Sequence, residues 1–357
     1  MKYVVLMLAV ALASMFSSPA RAGAKFRVLH NFGSGTDGSG PYGAPILDSQ
    51  GNLYGVTGSG GTGKCSDYGC GTVFELTPQT HGTWKEAILH SFTSGSGGAG
   101  PWGSLVLDGS GNLYGTMPLG TNYIGGVFEL SPGSGGWTYS VLYDVSSGPG
   151  LLMDDLSNLY GDIGDGQYGN GAIGELSPSS NGWTYTQLYS YCAQDHCPDG
   201  LAEPAPPIWD GKGNLYGTTV EGGIGRPACY SSFGCGVIFK MTPNRDGTWA
   251  YHVLHRFASS STDGQRPFAG LVMDTAGNFY GSTALGGVHN NGTIFKFAFT
   301  DGHWKKTVLY DFPKCDDGCI PYDGMVFDKA GNLYGGANGG VPACAGYECG
   351  VVFKLTP

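Results

Sequence analysis

Short apolar runs of four to six residues, each closed by turn residues, recur along the chain, and none of them calls for a helix. The phrase Asn-Leu-Tyr-Gly begins at Asn52, Asn112, Asn158, Asn214 and Asn332, and Asn-Phe-Tyr-Gly at Asn278, so one unit occurs six times at spacings of 46 to 64 residues. Each unit spells four strands. The first is an apolar run ending in Asp, as in Ser104-Leu105-Val106-Leu107-Asp108. A tight glycine turn leads into the second, which carries Leu-Tyr-Gly, and the pair reads as a hairpin. The third is Val73-Phe74-Glu75-Leu76 or Ile238-Phe239-Lys240-Met241, stopped by Ser/Thr-Pro. The fourth opens on Trp84, Trp137, Trp183, Trp249 or Trp304 and runs into Val-Leu-His/Tyr.

The chain enters this pattern at a fourth strand, Phe26 to Phe32, and leaves it at a third, Val351 to Leu355. An open row of sheets would leave two bare edges, whereas pairing these two segments completes the sixth sheet. The pattern therefore predicts an all-β six-bladed β-propeller with four antiparallel strands per blade, its ring closed by pairing the N-terminal strand with the C-terminal blade. Residues 23–357 form that single domain.

Residues 1–22 have another character. Lys2, an apolar run from Val4 to Phe16 and Ala20-Arg21-Ala22 read as a signal peptide, too short to span a bilayer. A secreted or periplasmic protein with no membrane span and no anchor is expected, a monomer by default. With 65 glycines and 20 prolines the chain could be disordered, but 21 Tyr, 17 Phe and 7 Trp supply apolar surface to offset the entropy of ordering. The formal net charge of −10 becomes −12 once Lys2 and Arg21 leave with the leader, and no basic patch is present, which excludes nucleic acid as a partner. Ten cysteines fall in five close pairs: Cys65 and Cys70, Cys192 and Cys197, Cys229 and Cys235, Cys315 and Cys319, Cys344 and Cys349. Spacings of three to five intervening residues, unequal between pairs, suit disulfides in an exported chain better than zinc. All five clips belong to second-to-third or inter-blade loops, which share one face.

The set Phe-x-Asp-Gly-x-x-Pro, Asp-x-x-Gly-Asn-Leu-Tyr-Gly, Gly-x-Val-Phe-x-Leu-x-Pro and Val-Leu-Tyr-x-Phe resembles the GloVer-type extracellular tandem repeat of bacteria, and covers nearly all of the chain after the leader. The resemblance implies an extracytoplasmic, propeller-like protein and no activity common to the family. The third copy departs from it, lacking the Asp-Gly-x-x-Pro loop and carrying Ile173-Gly174-Glu175 where Val-Phe-Glu stands elsewhere.

Candidate chemistry is sparse. Asp48, Asp108, Asp154, Asp210, Asp274 and Asp328 close the first strands and read as turn acceptors. His30, His90 and His255 alternate with Tyr143, Tyr189 and Tyr310, which favours packing over metal ligation. Asp37, Asp199, Asp263 and Asp317 each precede Gly and read as turns, so neither a metal nor another cofactor is expected. The richest segment is the fourth copy's inter-blade loop, with Tyr191, Asp195, His196, Asp199, Glu203 and Trp209 beside the short loop from Val145 to Gly150. That juxtaposition predicts a groove for a ligand, whether glycan, peptide or cell-wall component. The expectation is a non-catalytic binding or scaffold propeller, with a carbohydrate-active hydrolase or lyase using loop-face carboxylates as the alternative.

Overall fold

The computed structural model describes residues 29–30, 32, 36–65, 69–93, 98–118, 125–201, 205–223, 229, 233–258, 260, 263–313, 319–321, 324–338 and 350–357. Blade 1 is the antiparallel sheet Ser39–Leu47, Leu53–Ser59, Thr72–Pro78 and Trp84–Ser91. Blades 2 to 5 repeat that order over residues 102–143, 152–190, 208–256 and 272–311. Blade 6 has three described strands, Met325–Phe327, Leu333–Asn338 and Gly350–Leu355. The predicted pairing of Phe26 to Phe32 with Val351 to Leu355 lies outside the described residues. Phe32 itself packs 4.8 Å from Phe74, as Phe92 packs 5.2 Å from Phe128 and Phe257 5.5 Å from Phe295. It thus stands against blade 1 as each fourth-strand Phe stands against the next blade.

Apolar side chains are buried mostly between blades. Five core clusters each join two neighbours: Tyr54 with Leu113 and Phe128, for example, or Tyr216 with Phe279 and Phe295. The repeated phrases have plain steric reasons. A Cβ on Gly55, Gly115, Gly281 or Gly335 would stand 2.5 or 2.6 Å from the ring of Phe74, Phe128, Phe295 or Phe353, so the glycine of Leu/Phe-Tyr-Gly is the floor on which the third-strand Phe lies. In blade 3 the Phe is replaced by Gly174, and the Tyr185 ring takes its place, 2.5 Å from where a Cβ on Gly174 would sit. Gly71, Gly236 and Gly292 precede the third strand at φ 94°, 100° and 95°, with the second strand's carbonyl and the next blade's Pro101, Pro267 or Pro321 crowding the vacant Cβ position.

First strands are shorter than predicted in blades 3 to 6, two or three paired residues such as Val272–Met273. Their N-terminal halves bond to the neighbouring blade instead. Thr218 and Ser282 hydroxyls donate to the carbonyls of Pro267 and Pro321, and the Gly150 N–H donates to Thr116 Oγ1. Every described third-to-fourth strand pair carries a bulge at one place, between Val73 and Phe74 in blade 1, which re-aims the following His or Tyr. One position divides the ring. Opposite Tyr54, Tyr114 and Tyr160 the third strand places Glu75, Glu129 and Glu175; opposite Tyr216, Tyr280 and Tyr334 it places Lys240, Lys296 and Lys354. The three ammonium groups lie 5.4 to 5.7 Å over the Tyr rings.

Candidate functional site

The antiparallel order puts the Asp-closed turns at one end of the blades, the turn face, and the long loops at the other, the loop face. On the turn face each Asp is a clamp. Asp108 Oδ1 accepts the N–H groups of Ser110 and Asn112, both at 2.8 Å, and Oδ2 accepts Asn112 Nδ2 at 2.8 Å and Tyr114 OH at 3.2 Å. Asp48, Asp154, Asp274 and Asp328 repeat all four bonds. Burial alone would raise the carboxyls of Asp48, Asp108, Asp210 and Asp274, yet the donated hydrogen bonds outweigh it and hold them below the ordinary range. Asp328, bonded first by the Asn332 side chain, falls to about 2. Two cavities of about 550 and 500 Å³ open on this face, lined in part by Asp108 and Asp154 and by Asp210 and Asp274.

On the loop face, Cys65–Cys70, Cys192–Cys197 and Cys229–Cys235 are disulfides with Cα atoms 5.1, 4.0 and 5.2 Å apart. Cys319 is also disulfide-bonded, while Cys315, Cys344 and Cys349 lie outside the described residues. Of the six residues expected around the fourth-copy loop, the five that are described do not gather into one groove. Tyr191 is fully buried against Phe239 and Tyr251. Trp209 is at the turn-face end of its strand, edge-on to Tyr160, with Nε1 unbonded. Asp195 and His196 are exposed on the turn that Cys192–Cys197 clips. Asp199 Oδ2 accepts Tyr189 OH at 2.8 Å, and Glu203 lies outside the described residues.

Asp199 belongs to a set that recurs at the seams between blades. A fourth-strand His or Tyr, the Asp of the Asp-Gly loop and a side chain from the next blade's fourth strand meet there. Between blades 4 and 5 these are His255, Asp263 and Lys306: His255 Nε2 is 3.2 Å from Asp263 Oδ2, and Lys306 Nζ is 2.7 Å from Oδ1. Burial opposes the Asp263 charge, but His255 and Lys306 prevail and lower it. The loop between blades 1 and 2, residues 93–100, contains no Asp, and His90 stacks 4.0 Å from Tyr139; burial pushes its imidazole down to about 4. Beside blade 1 the set is His30, Asp37 and Glu86, with no lysine in it. Burial, then the hydrogen bond and charge of Asp37, push Glu86 up to about 8.

Four further loop-face residues, Tyr42, Trp102, Phe268 and Asp162, escape sequence reasoning. Tyr42 and Trp102, on the innermost strands of blades 1 and 2, are 57% and 37% exposed. Those strands touch through their backbones, since a Cβ on Gly43 would stand 2.4 Å from Gly103 C. In blade 5 the corresponding Phe268 lies 4.9 Å under the Arg266 guanidinium. The signal was an aromatic after proline in Pro41-Tyr42, Pro101-Trp102 and Pro267-Phe268. Asp162 stands where blades 2, 4 and 5 carry Thr116, Thr218 and Ser282, beside Gly148 of the short loop. Burial raises it to about 7, helped by the charge of Asp165.

Six sheets around one axis, clamped at one face and decorated at the other, make this a tandem-repeat β-propeller. The chain belongs to the Gloeobacter/Verrucomicrobia repeat family, whose model matches residues 15–227 and 204–357. No curated protein matches it. Among solved structures the fold is similar to an ulvan lyase of a polysaccharide lyase family, at 9% identity and TM-score 0.53 over 91% of this chain and 83% of that one. It is similar also to the NanB sialidase of Streptococcus pneumoniae, at 11% and 0.52 over 92% and 70%, and to a protein of unknown function from Dyadobacter fermentans, at 13% and 0.51 over 88% and 94%. At such identities the likeness is one of fold alone. No helix among the described residues is long and apolar enough to cross a membrane.

Proposed function

We propose that this is an exported, non-catalytic propeller that binds a glycan at the axial mouth of its loop face. The observation that carries the reading is the exposure of Tyr42 and Trp102 on adjacent innermost strands. Large aromatic faces left in water stack well on the apolar C–H faces of sugar rings, and the Tyr42 ring lies close over Gly58, where a side chain would collide with it. Asp108, Asp210 and Asp274, which line the turn-face cavities, are occupied as hydrogen-bond acceptors and held below the ordinary carboxylate range, a poor state for a general acid. The disulfides and the leader-like N-terminus support export.

Titration with oligosaccharides of bacterial and plant walls tests it. Tyr42→Ala or Trp102→Ala should weaken binding about tenfold each, the scale of one aromatic contact, with Tm unchanged. Wild-type affinity in both variants would refute it. A second reading, hydrolase or lyase, rests on Asp162, whose carboxyl, raised to about 7, would be partly protonated near neutral pH, as a general acid requires. A hydrolysis screen with Asp162→Asn as control distinguishes the two: turnover lost in the variant would favour catalysis.

A further inference from the structure

We propose that His30, Asp37 and Glu86 form a site for one divalent transition-metal ion of the Zn2+ type, which pins the chain's first strand to blade 1. The three donors come from separate places: the predicted closing strand, the loop before blade 1, and the outer strand of blade 1. His30 Nε2 lies 3.2 Å from Asp37 Oδ1 and 3.5 Å from Glu86 Oε2, and one donor atom from each residue falls within 4.8 Å of the others. Two ligands about 2.1 Å from a tetrahedral ion are themselves about 3.4 Å apart, so the two pairs that His30 makes already have the spacing of a coordination shell. One imidazole and two carboxylates suit Zn2+; Ca2+ asks for six to eight oxygens.

The fold supplies its own comparison. At the seam between blades 4 and 5 the same backbone positions hold His255, Asp263 and Lys306, and there a cation is built in, Lys306 Nζ, only 4% exposed. Lys306 follows Trp304-Lys305 as Glu86 follows Trp84-Lys85. Blade 1 therefore exchanges the cation of this seam for a second carboxylate. Glu86 is 15% exposed as a side chain, and its Oε1 is wholly buried with no hydrogen-bond partner. A buried carboxyl oxygen left without a partner is costly, and an ion shared with Asp37 and His30 would satisfy it if Glu86 coordinates through both oxygens, Oε2 being the one beside His30.

The test uses the purified, oxidised protein and Zn2+ alone. After dialysis, metal analysis should find one equivalent retained, and added Zn2+ should raise Tm by mass action. Glu86→Gln should weaken binding at least the roughly tenfold that loss of a mere supporting contact brings. Glu86→Lys, which rebuilds the Lys306 arrangement, should abolish the retained equivalent yet give a Tm no lower than metal-free wild type. Wild type retaining no stoichiometric Zn2+ would overturn the proposal, as would Glu86→Lys retaining a full equivalent. The wild-type stoichiometry is decisive by itself, so an unstable variant leaves the test intact.

Discussion

A single carboxylate organises each hairpin at the turn face, which makes the Asp the most informative side chain of the repeat. Asp108→Ala removes the acceptor of two backbone N–H groups and the Asn112 amide, and should cost about 1–3 kcal/mol in urea unfolding. The same set predicts acid sensitivity. A carboxyl held below its unfolded value stabilises the fold above about pH 4, and that stabilisation disappears as pH falls through the folded value, about 2 for Asp328. Unfolding midpoints should therefore drop steeply between pH 4 and pH 2, more gently in Asp108→Ala. These aspartates were legible because their partners lie two to six residues away. Glu86 was not, because its meaning depends on residues 49 and 56 positions earlier, brought beside it only by ring geometry. Asp162 was visible as a departure from Thr and Ser, but its burial was not.

Strands and turns were readable wherever the information is local: the alternation, the stop at Ser/Thr-Pro and the glycines at fixed offsets. The short first strands and the recurrent bulge were not, since both arise from pairing across blades. Loops on the decorated face are stitched by backbone bonds between elements. Phe92 N–H donates to Gly71 O, Phe257 N–H to Gly236 O and Phe312 N–H to Gly292 O, while Gly100 N–H donates to Cys70 O. Gly71, Gly236 and Gly292 in these stitches are held at positive φ with no room for a Cβ. Gly236→Ala should destabilise by about 1–3 kcal/mol and raise amide exchange at Phe257, as measured by hydrogen–deuterium exchange. Unchanged exchange there would show that the stitch is not a unit.

For the whole molecule the sixfold count and the propeller class were plain from the repeats, and the expected ring closure has a direct test. Deleting residues 23–32 should lower Tm and promote self-association through the bare edge of Gly350–Leu355; an unchanged Tm would mean that the ring does not close there. The exposed Tyr42 and Trp102 had gone unnoticed because proline and glycine around them read as mere turn chemistry. The division of this position between Glu75, Glu129 and Glu175 in blades 1 to 3 and Lys240, Lys296 and Lys354 in blades 4 to 6 has an electrical consequence. Three carboxylates occupy one arc of the disc and three ammonium groups the opposite arc at the same register, so these positions create a dipole lying in its plane. Beside an anionic layer the disc would thus have a preferred azimuth, blades 4 to 6 leading, before any loop makes contact.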